Sequence, residues 1–164
     1  MSLLDRLALM WSKLIGLCAV IAPLAGRLVI GYAFTQTGLG KWRHFDNTVE
    51  FFTQLGIPAP AANAAFIATL ELVGGWALIF GLGTRLFSLL LSSTMVVALL
   101  TADRDSFIGA LTGTSDSGLL DVTPVPFLIT LLLLAAFGAG PLAIDYFFGR
   151  HREGTATATI RRVA

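Results

Sequence analysis

Residues 61–82 read AANAAFIATLELVGGWALIFGL. A helix needs roughly 20 mainly apolar residues to cross a bilayer, and this run has that length with Asn63, Thr69 and Glu71 as its polar side chains. An ionisable group near the bilayer centre costs about 2.5–3.5 kcal/mol on insertion scales, so Glu71 has to face protein rather than lipid. With successive residues turned by roughly 100°, Ala64, Ala68, Glu71 and Gly75 share one helix face. Small residues mark close helix contacts in membranes, so that face looks into a bundle.

The composition carries the same reading to the whole chain. Of 164 residues, 55% are hydrophobic and only 13% charged, against about 25% charge in a soluble domain. Mean hydropathy is +0.81. The expected fold is all-α, an integral membrane four-helix bundle. A net charge of +1 offers no basic surface for nucleic acid. The single cysteine, Cys18, excludes a disulfide or a Cys-x-x-Cys pair within the chain. Redox chemistry would therefore need a quinone, a bound cofactor or a partner protein. His44 and His151 stand far apart, and no spacing suggests a metal site.

Working outward, residues 1–22 read as an N-terminal amphipathic helix lying in the membrane interface. Leu7, Met10, Trp11, Leu14 and Ile15 recur at helical spacing among Asp5, Arg6, Ser12 and Lys13. A signal peptide is the rival reading, weakened because no small-x-small cleavage site precedes Arg27. The transmembrane domain covers 23–148, with spans at about 23–41, 61–82, 85–102 and 124–144. Pro23 suits the first turn of the first span. Residues 43–60 hold a short amphipathic helix begun by Asp46 or Asn47 and ended by Gly56. Residues 103–121 read as a polar connection. Residues 149–164 read as a disordered cytoplasmic tail.

Lysine and arginine counts orient the spans. With both termini inside, Arg6, Lys13, Arg85, Arg150, Arg152, Arg161 and Arg162 are inner, and Lys41, Arg43 and Arg104 are outer. The expected location is a bacterial plasma membrane, crossed several times, with the N-terminus and C-terminus cytoplasmic.

On the first span Arg27, Gly31, Gly38 and Lys41 share a face. Docking that face on the Glu71 face predicts Arg27 roughly 10 Å to the inner side of Glu71 and Lys41 roughly 12 Å to the outer side. Glu71, Arg27 and Lys41 thus form the candidate intramembrane pocket, able to hold a polar head group or a proton. The competing reading makes the same cluster structural, with Glu71 tying helices together. Arg85 and Asp145, both near the inner boundary, are candidates for a structural pair. Neither a catalytic residue nor a metal ligand is assigned.

Several strings converge in order and spacing: Thr37-Gly38-Leu39-Gly40-Lys41, Leu55-Gly56-Ile57-Pro58-Ala59-Pro60, Leu70-Glu71-Leu72-Val73-Gly74-Gly75, Gly81-Leu82-Gly83-Thr84-Arg85-Leu86, and Gly138-Ala139-Gly140-Pro141-Leu142-Ala143-Ile144-Asp145. Together they resemble the DoxX family of small bacterial membrane proteins over roughly residues 24–148. The resemblance implies a four-helix plasma-membrane protein linked to oxidoreductase systems. One related subunit belongs to a thiosulfate:quinone oxidoreductase, and another associates with thiol-stress and superoxide-defence proteins. It places Lys41, Glu71, Arg85 and Asp145 on the family's polar positions. The lack of a cysteine pair argues against direct thiol chemistry here.

The expected function is a membrane subunit of a redox or detoxification system, with a quinone as the one cofactor candidate near Glu71. If enzymatic, it would be an oxidoreductase subunit acting with quinone or a partner protein. The alternative is a non-enzymatic membrane anchor or assembly protein. A transporter fits less well, because only one deep carboxylate is visible and no pair of broken helices is evident. Candidate partners are the lipid bilayer, redox-enzyme proteins and further copies of the chain.

Overall fold

The computed structural model describes residues 3–116 and 118–145; the tail at 149–164 lies outside them. Six α-helices follow one another: α1 Leu3–Arg43, α2 Phe45–Gln54, α3 Pro60–Phe80, α4 Thr84–Leu100, α5 Arg104–Thr112 and α6 Pro124–Phe137, with a short 3-10 turn at Leu119–Asp121. The protein is all-α. Among the described residues two helices are long and apolar enough to cross a membrane, one within Met10–Arg43 and one at Pro60–Phe80. Helices α4 and α5, bent by 78° at their junction, make a third candidate if taken together.

The first and third helices meet backbone to backbone. A Cβ on Gly31 would lie 2.8 Å from the Gly75 carbonyl oxygen, and one on Gly38 would lie 2.5 Å from the Leu72 nitrogen and 2.8 Å from the Ala68 carbonyl. No side chain fits there, so glycine fixes both the separation and the sliding register of the pair. This is the interface that the small-residue faces predict. Thr35, buried in the same seam, donates its hydroxyl to the Gly31 carbonyl at 2.8 Å.

Helices α4 and α6 close the other side. Ile30, Phe34, Leu78, Leu91 and Leu131 form the central core, with Phe34 edge-on to Phe127 at 5.6 Å between ring centres. A second cluster of Leu99, Val122 and Val125 lies beneath α5, which contributes Phe107 and Ala110. The sequence reading took 103–121 for a polar connection because Asp103, Arg104 and Asp105 open it. The structure finds a helix there, since Phe107 and Ala110 supply an apolar edge one turn apart.

Two boundaries differ from the sequence expectation. Residues 1–22 and 23–41 were assigned to separate helices, yet α1 runs through Pro23 as one helix of 41 residues. Proline removes a backbone donor and so leaves the carbonyl one turn earlier without its helical partner. Here the Pro23 ring packs beside Gly140, where a Cβ would stand 3.1 Å away. The fourth span, expected over 124–144, stops at Phe137. Gly138 (φ 83°) and Gly140 (φ 76°) then turn residues 138–145 back across the end of the bundle.

Overpacking a tight contact costs about 1–3 kcal/mol. Gly38→Val should therefore lower the thermal midpoint of the detergent-solubilised protein by several degrees and reduce its membrane abundance. Gly40→Val, at a position with nothing within 4 Å, should do neither. Equal behaviour of the two variants in a melting assay would contradict the proposed register.

Candidate functional site

That register decides which charges meet. Gly38 stands level with Ala68 and Leu72, so Lys41, close to one turn further along α1, comes within reach of Glu71 on α3. Lys41 Nζ donates to Glu71 Oε2 at 2.5 Å. The Glu71 side chain is 4% exposed and the Lys41 side chain 27%. Lys41 also lies in the last turn of α1, where the helix dipole favours a cation. Beyond it Trp42 stacks on Phe45 at 5.3 Å, fixing the corner between α1 and α2.

The pair lies at the edge of a cavity of about 410 Å³. Phe51, Phe52 and Ile57 cover its α2 side, Phe66 and Ile67 come from α3, and Val97 and Ala98 from α4. Its neutral polar groups are largely committed. Ser93 donates to the Leu90 carbonyl, Thr94 to Leu91, Thr101 to Val97, and the Asn63 amide to Pro58. An ammonium carries three donors and a carboxylate two acceptor oxygens. Among the described residues, Lys41 keeps ammonium donors to spare, the Asn63 amide keeps one N–H, and Oε1 of Glu71 remains uncommitted. The arrangement can present one donor and one acceptor side by side to a polar group inside an apolar chamber.

Arg27 is not part of this site, contrary to the sequence expectation. Its guanidinium donates to the Ala139 carbonyl at 2.8 Å through Nη1 and to the Leu142 carbonyl at 3.1 Å through Nη2. It is 1% exposed, packed so closely on the α3–α4 turn that a Cβ on Gly81 would collide with it. Gly81 is ten residues of helix from Glu71, or about 15 Å at 1.5 Å per residue. The sequence expectation aims Arg27 toward Glu71, whereas its guanidinium reaches the carbonyls of residues 139 and 142 instead. The segment 138–145 captures it, because orphaned carbonyls at the end of a chain reversal need donors that lipid cannot give.

Arg85 and Asp145 also resolve differently from a simple pair. Asp145 accepts from the Gly83 nitrogen at 2.7 Å and the Thr84 nitrogen at 2.8 Å. It caps the start of α4, where unpaired N–H groups and the helix dipole favour a carboxylate. Its own nitrogen donates to the Gly81 carbonyl at 3.0 Å. Arg85 is exposed and lies against the Gly138 turn, a Cβ on Gly138 standing 3.3 Å from its Nε. Among the described residues no ion pair joins it to Asp145. The two border a wide depression of about 750 Å³. An apolar groove of about 390 Å³ between α1 and α6 holds no charged group. Gln36 and Tyr32 face outward from α1, away from the cavity.

A helical membrane protein with a buried lysine–glutamate pair beside an apolar chamber is the class that this fold and site define. The model of the DoxX family matches residues 22–104. A Bacillus subtilis (strain 168) protein named "Putative oxidoreductase CatD" is 31% identical over 139 residues, covering 84% of this chain and 96% of that protein. The chain belongs to the DoxX family. No solved structure matches it.

Breaking a buried ion pair by removing one member costs about 3–5 kcal/mol, whereas replacing both by apolar groups is often neutral. Lys41→Met alone should therefore destabilise the protein by about 3 kcal/mol, and the double variant Lys41→Met/Glu71→Leu should regain most of that loss. Thermal unfolding of the purified full chain reads both. A double variant no better than the single would show that Glu71 is supported by something other than Lys41.

Proposed function

We propose that this chain is a multi-pass membrane component of an oxidoreductase or detoxification system, and that the Lys41–Glu71 pocket holds the polar head of a lipid-soluble molecule, a quinone being the class that fits. In this reading α1, α3, α4 and α6 all cross a bacterial plasma membrane. The turn bearing Arg27 and Asp145 is cytoplasmic, and α2 and α5 lie at the outer surface. The first residues of α1 rest in the inner interface. A redox-enzyme partner protein would supply or accept the electrons, because a lone Cys18 gives the chain no dithiol of its own.

One observation carries the proposal: the ion pair borders an apolar cavity instead of being sealed between helices. A purely structural pair gains from exclusion of solvent and ligand, yet Lys41 retains access to a chamber of about 410 Å³. Ligand pockets fall between about 300 and 1,000 Å³ and combine apolar walls with a few convergent polar groups. A quinone carbonyl accepts from an ammonium, and its reduced form donates to a carboxylate, so the pair suits both states. The relative named as an oxidoreductase supports the redox setting.

Glu71→Gln is the test. It keeps the size of the side chain and removes the full negative charge. At least tenfold weaker binding of a short-chain quinone per folded molecule, beside the lower stability that loss of one member of the pair brings, is the expected outcome. Lower abundance with unchanged quinone binding would instead support the anchor or assembly reading, in which the pair only ties α1 to α3.

A further inference from the structure

Phe52 and Ile57 lie over the chamber toward α2, and exposed side chains of α3 and α4 line it elsewhere. Gly74 of α3 and Leu91 of α4 are close neighbours, a Cβ on Gly74 standing 3.1–3.3 Å from the Leu91 side chain. Nearer α2 the cavity is lined by Phe66 of α3 and Val97 of α4. Phe66 is 60% exposed and Val97 50%. Where α3 and α4 cross the membrane, as in the reading above, large apolar side chains on their outer faces border acyl chains, not water. On the α2 side Phe52 is buried and Ile57 half-buried over the chamber, while Phe51 beside them is 47% exposed.

The charges select the head. Lys41 and Glu71 sum to zero, so neither a full anion nor a full cation gains a net counter-charge on entering. An anion approaching Lys41 also approaches the Glu71 carboxylate, and in a low-dielectric chamber that repulsion is weakly screened. Moving an ion out of water carries a penalty of several kcal/mol that this neutral pair cannot offset. A neutral group escapes both penalties. It can accept from the spare Lys41 N–H while donating to Glu71 Oε1.

We propose that the pocket loads sideways from the α2-bearing half of the bilayer, through the gap between Phe66 and Val97, and takes a neutral amphiphile. Its head carries one hydrogen-bond acceptor for Lys41 and one hydroxyl donor for Glu71, and its apolar tail remains among the lipids. This rests on the reading of Lys41 and Glu71 as a head-group site, and adds to it a route of entry and a charge class.

The full chain in phosphatidylcholine nanodiscs allows a direct test with three probes: decylhydroquinone kept reduced, tail-less hydroquinone, and decyl phosphate. Wild-type protein should bind decylhydroquinone at least tenfold more tightly than decyl phosphate. Val97→Trp should weaken decylhydroquinone at least tenfold while changing hydroquinone less than twofold, because it fills the path of the tail without reaching the head. The milder Val97→Ala, which widens the gap and leaves the core residues in place, should raise the association rate of decylhydroquinone at least threefold. An unaltered decylhydroquinone affinity in Val97→Trp, an equal loss for both neutral probes, an unaltered rate in Val97→Ala, or tight binding of decyl phosphate would each overturn the proposal. Glu71→Gln separates the two levels. If it weakens both neutral probes while the Val97 variants change nothing, the head-group site stands and the sideways route falls. If it weakens neither, the site itself falls.

Discussion

Backbone contact between α1 and α3 is the constraint on which the rest depends. Gly31, Gly38 and Gly75 let the helix axes approach until carbonyls and amides touch, and at that distance sliding by even one residue would drive a side chain into backbone. Lipid tails are as apolar as the side chains they surround, so close packing supplies the attraction that water would otherwise supply. The cost of burying Glu71 is then met by position: the register that suits the glycines is the one that brings Lys41 to it. Packing and electrostatics are satisfied by the same few angstroms of alignment.

The two ends of the bundle are built on different principles. At one end Arg27 and Asp145 are consumed by backbone groups, carbonyls of 139 and 142 in one case and amides of 83 and 84 in the other. Their charges act as fasteners, and although the buried Arg27 Nε has no hydrogen-bond partner, Arg27 lines none of the cavities described above. At the other end the Lys41–Glu71 pair leaves a donor and an acceptor uncommitted beside an empty apolar volume. Buried charge by itself therefore does not mark a site in this protein; uncommitted capacity beside space does.

Much of this was legible in the sequence, and the exceptions share a cause. The all-α membrane class followed from apolar runs, and the α1–α3 seam followed from small residues at helical spacing. That Glu71 and Lys41 share this seam was legible, but their register was not: the sequence puts Lys41 roughly 12 Å outward of Glu71, and the structure joins the two at 2.5 Å. The sequence aimed Arg27 toward Glu71, whereas its partners are carbonyls of an irregular segment more than a hundred residues away. No side-chain pattern announces a carbonyl. The continuity of α1 through Pro23 and the early end of α6 depend likewise on the return of residues 138–145. The cavity was not legible at all, since it depends on how α2, α3 and α4 are spaced around it. Gly74-Gly75 signalled close contact there, but nothing local signalled where contact ends.

The dependence of the bundle's first turn on its last segment has a consequence for biosynthesis. Arg27 emerges from the ribosome early and enters the membrane as a charge without a partner. The α3–α4 hairpin likewise inserts with the amides of 83 and 84 unfilled. Both wait for residues 138–145, so this end of the bundle stays unfinished until that segment has been made. A nascent chain halted at the end of α6 would hold all its apolar helices and still lack both fasteners, which gives membrane quality control a clear chemical difference between a partial and a complete molecule.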